Sequence, residues 1–139
     1  MKNKKFVPIP ETIITKILKD LSFNEQGLIP AIAQQHDTGE ILMMAWMNGD
    51  AIRETLTSGT VCYWSRSRGA LWRKGETSGQ IQSLVNFRYD CDKDTLQLLV
   101  DQKGVACHTG RRNCFFHEVT PAGISIISEV KIDPNDLYA

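Results

Sequence analysis

Leu28-Ile29-Pro30-Ala31-Ile32-Ala33-Gln34 and Ile41-Leu42-Met43-Met44-Ala45-Trp46-Met47, separated by a connector containing Asp37-Thr38-Gly39-Glu40, decide the fold class. Two apolar runs of strand length flank a segment in which Asp and Gly supply turn chemistry, and that combination predicts a β-hairpin. On its amino-terminal side, Ile13, Ile14, Ile17, Leu18 and Leu21 recur at helical spacing with lysines between them, predicting a short amphipathic helix over residues 10–21. On its carboxy-terminal side, Asn48 is placed to cap a helix over residues 50–57 that Gly59 ends. Further strands are predicted at 61–65, 82–90, 95–100, 115–119 and 124–132. Residues 66–79 form a long polar loop bearing glycines. In the 82–90 strand, Leu84 and Phe87 fall only roughly in register. The expected fold is α+β, a single mostly-β domain with a few short helices.

A chain of 139 residues builds one domain with a real core. Apolar residues make up 42% and charged residues 23%, a globular composition, and no internal repeat occurs. Sixteen basic residues balance sixteen acidic ones, so no global field favours nucleic acid or an anionic membrane, and anion recognition must be local. The basic start is followed by no apolar run of signal-peptide type, and the longest apolar stretch, residues 41–47, is too short to span a bilayer. A cytoplasmic location is expected. There cysteines stay reduced, and four of them point to metal binding or chemistry before disulfides.

Chemistry concentrates in Asp90-Cys91-Asp92-Lys93-Asp94, Ala106-Cys107-His108-Thr109-Gly110 and Asn113-Cys114-Phe115. Thiolates are soft ligands suited to zinc, carboxylates hard ligands suited to magnesium, and two such sets suggest two metals. If residues 90–94 are extended, Asp90, Asp92 and Asp94 share one side and Cys91 points to the other. Taken alone the acidic triplet reads first as a solvated turn, and the adjacent Cys91 reverses that order. A calcium loop does not fit, since Thr95 and Asp101 stand where Gly and Glu are required. Cys62, in Val61-Cys62-Tyr63-Trp64, reads as a buried core thiol. The other three cysteines lie in polar surroundings without a Cys-x-x-Cys pair, and three ligands with an open fourth position is the catalytic zinc pattern. His108 or His117 could instead complete a closed structural site. His108 adjoins Cys107, which favours an acid/base role, whereas His117 reads as an ordinary strand histidine.

Ser65-Arg66-Ser67-Arg68-Gly69 leads into Leu71-Trp72-Arg73-Lys74-Gly75-Glu76-Thr77-Ser78-Gly79. Arginine forks, hydroxyls and glycine backbone suit phosphate, and Trp72 offers a flat face for a purine. A solvated loop anchored by one tryptophan fits the same composition.

These segments, together with Gly27-Leu28-Ile29-Pro30-Ala31-Ile32-Ala33-Gln34, Thr38-Gly39-Glu40-Ile41-Leu42-Met43 and Gly104-Val105-Ala106-Cys107-His108-Thr109-Gly110, resemble the phosphoribosyl-AMP cyclohydrolases of histidine biosynthesis. One domain is expected over residues 1–139: an amino-terminal helical segment (1–26), a motif-bearing core (27–116) that carries the resemblance, and carboxy-terminal strands and tail (117–139). The resemblance implies zinc on Cys91, Cys107 and Cys114 and magnesium on Asp90, Asp92 and Asp94. It also implies a homodimer whose active sites form at the subunit interface, with zinc ligands shared between subunits. The implied reaction is hydrolytic opening of the N1–C6 bond of 1-(5-phosphoribosyl)-AMP by a zinc-bound hydroxide. His108 is the candidate proton carrier, and Arg66, Arg68, Trp72, Lys74 and Ser78 are candidates for binding substrate. A zinc-dependent purine deaminase is a rival reading, but it needs His-x-Glu and Pro-Cys-x-x-Cys, and neither occurs. A second rival is a non-catalytic zinc-stabilised binding module, which predicts a closed four-ligand site.

Overall fold

The computed structural model describes residues 6–138, and the basic start of the chain lies outside them. The predicted hairpin forms as β1 (Ile29–Gln35) and β2 (Ile41–Met47), antiparallel from Ile29 opposite Met47 to Gln34 opposite Ile41. Gly39, at φ 78°, takes the left-handed turn position that a side chain resists. The amphipathic helix is α1 (Glu11–Asp20) and the capped helix is α2 (Gly49–Ser58). Ala51 N–H donates to Asn48 Oδ1 at 2.8 Å, and Gly59 ends the helix at φ 76°.

Beyond α2 the chain forms β3 (Cys62–Ser65), β4 (Ala70–Arg73), β5 (Gln82–Tyr89) and β6 (Leu96–Gln102). The sheet order is β4-β3-β2-β1-β6-β5, and the β1–β6 pair is its one parallel ladder. In β1 and β6 side chains alternate strictly: Ile29, Ala31, Ala33, Leu96, Leu98 and Val100 are fully buried. Ile14 from α1 and Ile52 and Leu56 from α2 join the same core. Each large aliphatic side chain withdrawn from water contributes about 2 kcal/mol. The sheet curls, so that the start of β3 meets β5: Val61 N–H donates to Gln82 O at 3.0 Å and Leu84 N–H to Gly59 O at 2.8 Å. A β-bulge at Val85 accounts for the imperfect alternation of the 82–90 segment.

Two expectations are corrected. The 66–79 segment is not all loop, because β4 lies within it and pairs with β3, Tyr63 opposite Trp72. Leu71 and Trp72 pack against the core, which drives that pairing. The strand expected over 124–132 is only β8 (Gly123–Ile126), paired with β7 (His117–Thr120) in a separate hairpin. Beyond Ile126 the backbone bonds to the 110–116 loop instead, with Ile127 N–H donating to Phe116 O at 2.9 Å. It ends in an unpredicted turn of helix, α3 (Pro134–Leu137).

Candidate functional site

The loop after β6 carries two of the three candidate zinc cysteines, and its shape is imposed from several sides. Gln102, buried at the end of β6, donates from its amide to Lys103 O at 2.7 Å and Val105 O at 3.2 Å. Val105 N–H donates to Gln80 Oε1 at 3.0 Å. Gly104, at φ 72°, lets that side chain approach so closely that no Cβ fits. Further on, Ala106 N–H donates to Arg112 O, Gly110 N–H to Cys107 O, and Cys114 N–H to Leu42 O in β2. The Arg112 guanidinium donates to Gln102 O, Gly104 O, Gln35 Oε1 and Glu40 Oε1, while Asn113 Nδ2 donates to Glu40 Oε2. Arg112 and Glu40 thus fasten the loop to the β1–β2 turn.

This fastening places Cys107 and Cys114 side by side on the wall of one cavity, with Thr109 Oγ1 3.0 Å from Cys107 Sγ. Burial, and then the neighbouring Cys107, push the Cys114 thiol up to about 12. Lys74 is buried beside them. Burial holds its ammonium below the ordinary range, partly opposed by the neighbouring Cys114 and Cys107. Its Nζ lies 5.9 Å from the Trp72 ring centre, and Trp72 in turn packs on Tyr63.

A cavity of about 180 Å³ borders both thiols, His108, Met43 and Gln80. A second, of about 270 Å³, is lined by Arg68, Arg73 and the backbone turn through Gly75 and Thr77. The two share Trp72, Lys74, Ser78 and Tyr138, so they are lobes of one cleft: paired thiols at one end, cations and hydroxyls at the other. Of the predicted substrate residues, Arg68, Trp72, Lys74 and Ser78 line this cleft. Arg66 instead lies over Trp46, 5.0 Å from its ring centre, outside both lobes.

The acidic segment is not extended as expected. Residues 90–94 turn between β5 and β6: Lys93 sits at φ 66°, its N–H donating to Asp90 O, while Asp94 and Thr95 N–H donate to Asp90 Oδ1. The turn folds the three carboxylates together, with one oxygen of each within 4.8 Å of the others. Partial desolvation works against it, yet those N–H donors hold the Asp90 carboxyl below its usual range. Asp92 is pushed above its range, first by its hydrogen bond with Asp94 and then by desolvation and repulsion. Such a cluster suits one hard divalent cation. Cys91 is exposed beside it. Among the described residues only the acidic triplet gathers three potential donors this closely, so the three cysteines of one chain do not meet. Two adjacent thiols in a cleft fit a soft cation but supply only part of its shell. Cys62 is a buried core thiol, as read from the sequence.

Arg112, Glu40, Gln80 and Tyr138 were not predicted. Arg112, between Gly110 and Cys114, and Glu40, in the hairpin connector, are charged residues inside motifs and could have been flagged. Nothing local marks Tyr138.

A one-domain fold with a polar, thiol-bearing cleft and, apart from it, a turn of clustered carboxylates suits an enzyme acting on a small polar substrate. Known sequences give the particular family. The profile described as phosphoribosyl-AMP cyclohydrolase matches residues 43–116. Proteins of that name from Paramagnetospirillum magneticum and Magnetococcus marinus are 61% and 63% identical over 122 and 121 residues, spanning 88% and 87% of this chain and 92% and 94% of their own. One from Rhodospirillum centenum is 59% identical over 126 residues, 91% of this chain and 95% of its own. The chain belongs to the phosphoribosyl-AMP cyclohydrolase family.

Proposed function

We propose that this chain is a phosphoribosyl-AMP cyclohydrolase of histidine biosynthesis, working in the cytoplasm, that opens the adenine ring by adding water at C6 and breaking the N1–C6 bond. The observation that carries this reading is the cleft itself. Cys107, Cys114 and His108 border one lobe, where a ring would react, and Arg68, Lys74 and Ser78 line the lobe where phosphates would sit. Cys107 and Cys114 would hold zinc, which would supply there an acidified water ionisable near neutral pH. Trp72 orients the purine, Lys74 and Arg68 neutralise phosphate charge, and Gln102 and Arg112 keep the thiol loop in shape. His108, exposed on the same lobe, carries a proton toward the ring nitrogen released when N1–C6 breaks. Asp90, Asp92 and Asp94 hold magnesium.

The third zinc ligand is Cys91 of a second subunit. The separation of Cys91 from the Cys107–Cys114 pair supports this, and so do the exposed apolar surfaces. Val119, Ile124 and Ile126 are exposed on the β7–β8 hairpin, and Ile41, Met44 and Phe115 beside an apolar groove on the sheet. No helix among the described residues is long and apolar enough to cross a membrane.

Incubation with phosphoribosyl-AMP, before and after zinc chelation, tests the activity by product mass. Gain of one water, lost on chelation and restored by zinc, is expected. Loss of ammonia means a deaminase, and no turnover by zinc-loaded protein means a binding module. Ligand sharing is tested by mixing Cys91→Ser with Cys107→Ser subunits. Each alone is inactive, and mixed dimers regain activity because one of their two sites is intact.

A further inference from the structure

The carboxy-terminal strap, residues 127–138, is tied to the thiol loop at three points. Lys131 N–H and Ile132 N–H donate to Gly110 O at 2.8 and 3.1 Å, and Arg111 Nε donates to Ser128 O at 2.9 Å. Gly110, at φ 84°, is so close to the strap that a Cβ there would collide with Ile132 O. Leu137, only 5% exposed, anchors the end of the strap against the thiol-bearing lobe. The next residue, Tyr138, remains 55% exposed and lines both lobes. Only Trp72, Lys74 and Ser78 share that position, and all three come from the 66–79 segment. The strap therefore brings a second aromatic ring to the junction of the lobes from the far end of the chain.

We propose that Tyr138 contacts the substrate, its ring forming an aromatic wall for the nucleotide where base passes into sugar and phosphate. A ring half-covered in a polar cleft gains most when a flat, partly apolar ligand covers its remaining face. The strap's ties to the Cys107–Cys114 loop keep that wall in register with the reacting end. The inference rests on the cyclohydrolase reading and adds a substrate-binding residue to it.

Steady-state kinetics with phosphoribosyl-AMP on the zinc-loaded protein test it, comparing Tyr138→Ala and Tyr138→Phe with the parent. Tyr138→Ala is expected to raise KM about tenfold, the weight of one base against one aromatic ring, with kcat changed far less. Tyr138→Phe keeps the ring and stays within about twofold. Thermal melting stays close to the parent in both, because over half of the side chain is already in water, and this separates a substrate contact from a structural role. If the parent turns over and Tyr138→Ala matches its KM, the inference fails and the cyclohydrolase reading stands. If the zinc-loaded parent does not turn over, the reading fails and the inference with it.

Discussion

Replacing Arg112 with alanine tests whether the thiol loop is held by its tether to the β1–β2 turn. The guanidinium makes four hydrogen bonds: to Gln102 O (3.1 Å), Gly104 O (2.6 Å), Gln35 Oε1 (3.0 Å) and Glu40 Oε1 (3.2 Å). They do not weigh equally. Gly104 O is exposed, so water replaces the donor, and Gln35 Oε1 keeps its bond from Gln102 N–H. Gln102 O lies in a half-buried setting and loses a partner, costing about 1–2 kcal/mol. The ion pair with Glu40 is about a third exposed on each side, which limits it to about 0.5–1 kcal/mol. Lost packing of the aliphatic stem adds about 1 kcal/mol. The total is about 3 kcal/mol, or a fall in Tm of about 10 °C for a domain of this size. Thermal melting of chelated protein measures it without the contribution of bound metal. Arg112→Lys should recover less than half, since one ammonium cannot span the fork. A chelated Arg112→Ala protein melting within about 3 °C of the parent would refute the tether.

Gly110→Ala should loosen the strap, because its backbone is left-handed and the added methyl meets Ile132 O. Limited proteolysis should then cut within 127–138 sooner than in the parent, and equal cleavage rates would contradict the packing. The Cys62 and Cys114 thiols are both pushed up to about 12 from 9.0, so above pH 9 the unfolded chain releases these protons before the folded one does. Metal-free protein should therefore melt at lower temperature at pH 10 than at pH 8, with a smaller drop when zinc is bound, because Cys114 then carries no proton to lose. At Asp92 the raised carboxyl reflects first its hydrogen bond with Asp94, then desolvation and repulsion, so ionising it in the metal-free state costs stability once pH exceeds the carboxylate range. Asp92→Asn relieves it, so at pH 7 the metal-free variant should melt no lower than the parent. Magnesium should raise the Tm of the parent alone, and an equal rise in both would remove Asp92 from the site.

Much of this was legible locally. Apolar runs around Asp37-Thr38-Gly39-Glu40 sufficed for the hairpin, and Asn48 with Gly59 for the limits of α2, because turns and caps are governed by residues a few positions apart. The metal-ligand residue types were equally plain in the chain. Misreadings arose where distant partners decide. β4 exists because Leu71 and Trp72 find β3 and the core, and the carboxylates of 90–94 converge through a turn closed by backbone N–H groups on Asp90, not through strand alternation. The strand expected over 124–132 breaks because Gly110 accepts its backbone N–H groups.

The sequence by itself determined the family, the hairpin, and the kinds of donor the chain offers to metals. Only the tertiary structure decided which of those donors meet. It joined Cys107 to Cys114 and parted both from Cys91, gathered Asp90, Asp92 and Asp94 in one turn, and carried Tyr138 from the chain's end to the cleft. The physical reason is range: propensity and turn chemistry act over a few residues. The parallel β1–β6 pairing and the ties at Arg112 and Gly110 close loops of tens of residues, and their partners are set by core packing that no local pattern records.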